Sequence, residues 1–144
     1  MTDHRQLGVD LFNHVWTLLD ARERTREQDD ELLHAAHASR HHWAQAGGGP
    51  ENLARGEWQI SRVYVVLGRP EPALHHARRC LELCEEHGIG DWDVAYAHEA
   101  LARAHALAGD GEAAARHKRL AREAGDVIAD PDDREHFDED YATL

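Results

Sequence analysis

Two segments of this chain repeat one another 41 residues apart, and that period limits the fold more than any other feature. The first reads Val66-Leu67-Gly68-Arg69-Pro70-Glu71-Pro72-Ala73-Leu74-His75-His76-Ala77, the second Leu107-Ala108-Gly109-Asp110-Gly111-Glu112-Ala113-Ala114-Ala115. In each, apolar residues lead to Gly, with Glu three residues on and Ala five on. Gly supplies the left-handed residue that closes a helix, so the pattern reads as the turn and second helix of a repeated helical hairpin. A period of this length points to a stack of hairpins, each touching only its neighbours.

The rest of the chain agrees. It is rich in Ala, Leu, Glu and Arg, which favours helix, and it holds no alternating stretch long enough for a strand. Gly47-Gly48-Gly49-Pro50 and Gly88-Ile89-Gly90-Asp91 read as loops, and Asp130-Pro131 as a capped helix start. The predicted helices run over residues 5–24, 28–46, 51–67, 70–87, 92–108, 111–128 and 131–142. The expected fold is all-α: an α-solenoid of three antiparallel hairpins (5–46, 51–87 and 92–128) closed by a capping helix, one domain over 1–144.

On the 41-residue period the first helices align at Trp16, Glu57 and His98, then at Leu19, Ile60 and Leu101. The turns fall at Glu27, Gly68 and Gly109. The second helices align at Leu32, Ala73 and Ala114, at Ala36, Ala77 and Lys118, and at Ser39, Cys80 and Ala121. The second and third repeats match well; the first lacks the turn Gly. Carrying the period on places Phe137 where Tyr96 stood. The final acidic helix then becomes a lone first-helix equivalent over the open end of the stack.

Leu67-Gly68, Ala73-x3-Ala77-x2-Cys80, Trp16-x2-Leu19 and the aromatic Tyr64 resemble the tetratricopeptide repeat family. Small residues at such positions let paired helices approach closely. The period is longer than that family's usual length of about 34 residues, Asp20, Ser61 and Ala102 stand where it has a first-helix Gly, and its closing Pro is absent. The resemblance covers residues 13–128. It implies an interaction module whose first helices line a concave groove, formed here by His14, Thr17 and Ala21, by Arg55, Trp58 and Arg62, and by Tyr96, Glu99 and Arg103. Three arginines beside Trp58 and Tyr96 would make a cationic, aromatic patch able to grip a carboxylate or stack on rings. The expected site is therefore Arg55, Trp58, Arg62, Tyr96, Glu99, Arg103 and His14, taking a peptide or protein segment.

Charge and composition narrow the alternatives. A formal net charge of −12 speaks against nucleic acid, and no run of 18 apolar residues exists to span a membrane. Without an apolar leader the chain reads as cytoplasmic. Nine acidic residues between Glu123 and Asp140 face Arg134 alone. Phe137 and Tyr141, one turn apart, are expected to anchor that helix, its carboxylates forming a solvated cap or a site for basic partners. Cys80 and Cys84 lie on the apolar stripe and read as buried, reduced packing residues.

Thirteen histidines are the chain's other departure from the ordinary. His34, His37 and His41 share one exposed helix face and could hold a metal, while His98 and His105 face the helix interface. A polar face written with His is the plainer reading, and no cofactor is expected. No nucleophile-and-base signature or phosphate-cradling loop is present, so an enzyme is the less favoured reading. A His-dependent metal protein or enzyme, and a self-assembling homodimer using the exposed first-helix face, stand as alternatives.

Overall fold

A computed structural model describes all of residues 1–144. It contains seven α-helices and no strand: α1 His4–Leu19, α2 Arg26–Gln45, α3 Pro50–Val66, α4 Pro70–His87, α5 Asp91–Ala108, α6 Gly111–Asp126 and α7 Pro131–Tyr141. The closest packing joins α1 to α2, α3 to α4 and α5 to α6, giving three hairpins. Each leans on the next through α2 against α3 and α4 against α5, and α7 rests on α5 and α6. The chain is thus an all-α stack of three hairpins and a closing helix. None of its helices is long and apolar enough to cross a membrane.

The two echoing turns close alike. Gly68 and Gly109 sit at φ 73° and 82°. The Arg69 N–H donates to the Tyr64 carbonyl at 2.9 Å, and the Asp110 N–H to the His105 carbonyl at 3.0 Å. This six-residue closure is what a left-handed residue after a helix permits. Any side chain there would strain the backbone by roughly 1–2 kcal/mol.

The first hairpin departs from the expected outline. α1 ends at Leu19, five residues short of 24, and α2 starts at Arg26 instead of 28. The cause is a capping box: the Thr25 hydroxyl accepts from the Gln28 N–H, and the Gln28 side chain accepts from the Thr25 N–H. Arg24 folds back over the end of α1, donating to the Leu18 carbonyl at 3.4 Å and to Asp29 at 2.8 Å. The turn therefore occupies residues 20–25, and Glu27, expected at the turn, lies in the first turn of α2.

Small residues set the helix spacing. Ala54, Ala73, Ala77, Ala95, Ala97 and Ala104 are all buried, so neighbouring backbones approach closely. Larger side chains fill the first two hairpins, where Val15, Leu18, Leu32, Ile60 and Val63 form one cluster. Burying such a side chain contributes about 1.5–3 kcal/mol. Cys80 and Cys84 are buried and unbridged, as their stripe position led us to expect. Hairpin contacts are pinned by hydroxyls: Ser39 donates to the Gly8 carbonyl at 2.7 Å and Ser61 to that of Ala73 at 2.8 Å.

α7 is held by one ring. Asp130 caps its start, accepting from the Asp132 and Asp133 N–H groups. Phe137 is fully buried among Ala95, Tyr96, Ala121 and Ile128, and Tyr141 packs beside it. Gly125 makes the seat, since a Cβ there would run into the Phe137 ring. Arg122 closes the outer side, donating to Asp138 at 2.7 Å and Asp126 at 2.9 Å and lying 4.6 Å from the Tyr141 ring centre.

Candidate functional site

A cavity of about 650 Å³ opens on the first-helix face, within the range of small-ligand pockets. α1 contributes Phe12 and Trp16, with Asp20 just past its end; α3 contributes Ala54, Arg55 and Trp58. Trp92, Asp93 and Tyr96 come from α5, Cys80 from α4, and Asp133, His136 and Asp140 from α7. Each aromatic pair on a helix is spaced one turn apart, so Phe12 with Trp16 and Trp92 with Tyr96 share a face. The Gln59 amide holds α1 in place by donating to the Phe12 carbonyl at 3.0 Å. Phe137 does the same for α7 from beneath Tyr96, with ring centres 5.1 Å apart.

The rings form walls set at steep angles. Trp16 and Trp58 lie 5.5 Å apart, inclined at 35°. Tyr96 stands edge-on to Trp58 at 5.4 Å and to Trp92 at 6.2 Å. Burial, reinforced by the 2.8 Å bond its hydroxyl donates to Asp140, pushes the Tyr96 phenol well above its ordinary pKa.

The arginines are all engaged by carboxylates of the same molecule. Arg55 makes two parallel bonds to Asp93, both 3.0 Å, and its guanidinium lies 4.2 Å from the Trp92 ring centre. Arg103 donates to Glu99 at 2.8 Å, to the Asp140 carbonyl at 3.2 Å and to the Thr143 hydroxyl at 2.8 Å. Arg62 stands 3.6 Å from Glu99 and 3.9 Å from Asp140, and its burial lowers the guanidinium pKa. Glu99, almost wholly enclosed, also accepts from the Trp58 indole at 3.1 Å.

This arrangement divides the residues of the expected site. Arg55, Trp58 and Tyr96 do meet on one surface. Arg62, Glu99 and Arg103 form a closed network beneath Trp58, with no open volume of their own. His14 faces α2 and sits 3.5 Å from Glu31, outside the cavity lining. The anticipated cationic patch is neutralised, and the lining carries four carboxylates against one guanidinium. Phe12, Trp16, Trp92, Asp93 and the α7 residues were outside the expected set. The turn-spaced aromatic pairs were the signal for the first three.

Apart from His136, which lines the cavity 3.8 Å from Asp140, the histidines lie elsewhere. His37 hydrogen-bonds the Tyr64 hydroxyl at 3.0 Å, and its ring meets His76 at 5.4 Å, while His34 and His41 remain exposed. No three His, Cys, Asp or Glu side chains converge as a metal site would require. His98 faces His117, their Nδ1 atoms 3.2 Å apart, and His105 stacks on the other side of His117 at 5.6 Å.

Fold and cavity together define an all-α helical-repeat protein with a ligand-sized, aromatic pocket on its first-helix face. No protein-family model, curated protein or solved structure matches the chain.

Proposed function

We propose that this chain is a tetratricopeptide-like interaction module of the cytoplasm, which takes a peptide or protein segment against its first-helix face. A side chain of that partner seats in the cavity between α1 and α7. The observation carrying this reading is the cavity, whose Trp, Tyr and Arg lining is of the kind enriched in binding hot spots. The repeat plan favours it too, since helical stacks work by presenting a surface. The two unbridged thiols fit a reducing compartment.

A displayed peptide library panned on the protein tests the proposal. Trp58→Ala, which removes the cavity's central wall, is expected to weaken recovered peptides at least about tenfold by isothermal titration, a step of roughly 1.4 kcal/mol. Asp133→Lys, at the exposed rim, should alter their affinity as well, with thermal melts showing both variants folded. Recovered peptides that bind both variants undiminished would place the interaction surface elsewhere.

A further inference from the structure

The geometry points to an organic cation as the group the cavity accepts: an alkylated ammonium, such as an N-methylated lysine side chain of the partner. This rests on the interaction-module reading and adds the chemistry of what is recognised.

Three observations converge. First, the lining holds four mutually contacting rings from three helices, Trp16, Trp58, Trp92 and Tyr96, inclined to one another at 35° to 87° rather than stacked parallel. Aromatic faces carry negative potential and attract cations at ring-centre distances within about 6 Å. The molecule already uses this on two of the rings, with the Arg55 guanidinium 4.2 Å from the Trp92 ring centre and that of Arg62 5.8 Å from the Trp58 ring centre.

Second, the charge balance of the lining is negative. The Arg55–Asp93 pair cancels itself through two 3.0 Å bonds. That leaves Asp20, Asp133 and Asp140. Asp140 accepts from Tyr96 and stands 3.9 Å from Arg62 and 3.8 Å from the ring nitrogen of His136, which also lines the cavity. Asp20 and Asp133 take part in none of the molecule's ion pairs. Carboxylates at the rim of a pocket with low-dielectric walls focus an attractive field on a cation and repel an anion. The chain's net charge of −12 acts in the same direction at longer range.

Third, more than half of the lining residues are hydrophobic. A bare ammonium keeps its water tightly and gains little from such walls. An alkylated ammonium spreads its charge over methyl groups, sheds water more readily and offers apolar surface to the rings. The lining thus discriminates by both charge and hydration.

The cavity supplies its own reporter. Trp16, Trp58 and Trp92 line it, three of the chain's four tryptophans, so occupancy can be read as a change in intrinsic fluorescence. The probes are N-acetyl-Nε-trimethyllysine methylamide, its uncharged isostere with carbon in place of the quaternary nitrogen, and free tetramethylammonium. The trimethyllysine compound is expected to bind saturably and at least about tenfold more tightly than the isostere. The double substitution Asp20→Asn/Asp133→Asn should shrink that preference below about threefold. Both residues are exposed, and a melt checks that the double variant keeps its fold.

Equal binding of the isostere would overturn the inference and leave a pocket selected by shape alone. Tetramethylammonium binding as tightly as the amino-acid compound would overturn the side-chain source and assign the cavity to a free cation. No binding by any probe would overturn the inference entirely. The interaction-module reading falls separately, only if library peptides bind Trp58→Ala and Asp133→Lys undiminished.

Discussion

The seam between α3 and α4 and the seam between α5 and α6 are built on one plan with opposite chemistry. Position for position, Glu57, Tyr64 and His76 in the first stand 41 residues before His98, His105 and His117 in the second. Both seams stack two rings nearly parallel: Tyr64 on His76 at 5.7 Å and 12°, and His105 on His117 at 5.6 Å and 4°. Both place a third group against the α4 or α6 histidine. In one it is a carboxylate, with Glu57 Oε2 and His76 Nδ1 2.6 Å apart. In the other it is a second imidazole, His98, at 3.2 Å.

The proton affinities diverge accordingly. Burial works against ionising Glu57, but its bond to His76 and the charge of Arg40, 3.3 Å away, outweigh this and hold its pKa below the ordinary value. In the other seam burial, together with the neighbouring His98 and His105, pulls His117 down to about 4. Burial also lowers His98 and His105. The same backbone and the same ring stack therefore accommodate a carboxylate–imidazole bond or a stack of neutral rings. The third group decides which.

The comparison breaks most visibly through Glu57. Removing one partner of a buried ion pair leaves the other uncompensated. Glu57→Ala strands His76 and Arg40, so denaturant unfolding should show a loss of about 3 kcal/mol. His98→Ala, which removes only a neutral ring from its seam, should cost about 1 kcal/mol. Equal losses would mean that the two seams do not differ in kind.

Acid separates them next. Between pH 6.5, where unfolded histidine titrates, and about 4, where His117 does, the unfolded chain binds the extra proton. Stability therefore declines as pH falls through that window, by on the order of 1 kcal/mol after allowing for solvent around a partly exposed ring. Glu57 behaves differently: its contribution is intact above its ordinary 4.5 and is lost only as pH falls through its lowered folded value. His37, also lowered by burial and by His76, adds to the decline below 6.5, so the clean measurement is a difference. Thermal melts of His117→Gln against the parent from pH 7.5 to 4.5 should show a flatter slope in the variant. A parallel slope would sink the assignment.

The subtlest test rebuilds one seam as the other. His98→Glu places a carboxylate against His117, so its ring titration, followed by NMR, should move upward from about 4. An unmoved midpoint would show that Arg78 and Arg116, which also lower His117, outweigh its ring neighbour.

Much of this molecule was legible in the sequence where the cause was local. Gly68 and Gly109 marked turns because a left-handed residue is a chain-local need. Phe137 and Tyr141 announced the anchor of α7 through their one-turn spacing, and Cys80 and Cys84 their burial through the apolar stripe. The end of α1 was misplaced by five residues because the Thr25–Gln28 box outweighed the helix-forming residues before it. His14, Thr17 and Ala21 were expected in the groove because they stand 41 residues before Arg55, Trp58 and Arg62, whereas the first hairpin presents Phe12, Trp16 and Asp20 to the cavity. The pairing of Arg103 with Glu99, four residues back on the same helix, was within reach of the sequence, but the longer-range partners of the arginines were not. Arg55 meets Asp93 38 residues away, and Arg103 meets the Asp140 carbonyl 37 away. Such pairings depend on how hairpins stack and leave no mark on local spacing.

The Trp58–Glu99 hydrogen bond also spans 41 residues, so it ties one hairpin to the next at equivalent rungs. In a one-dimensional array this is a nearest-neighbour coupling rather than an internal energy of either unit. Glu99 finds the indole only when α3 is in place, and Arg62 of α3 finds its carboxylate only when α5 is. Loss of either hairpin therefore strips partners from the other, which couples their melting and ties the floor beneath the cavity to both.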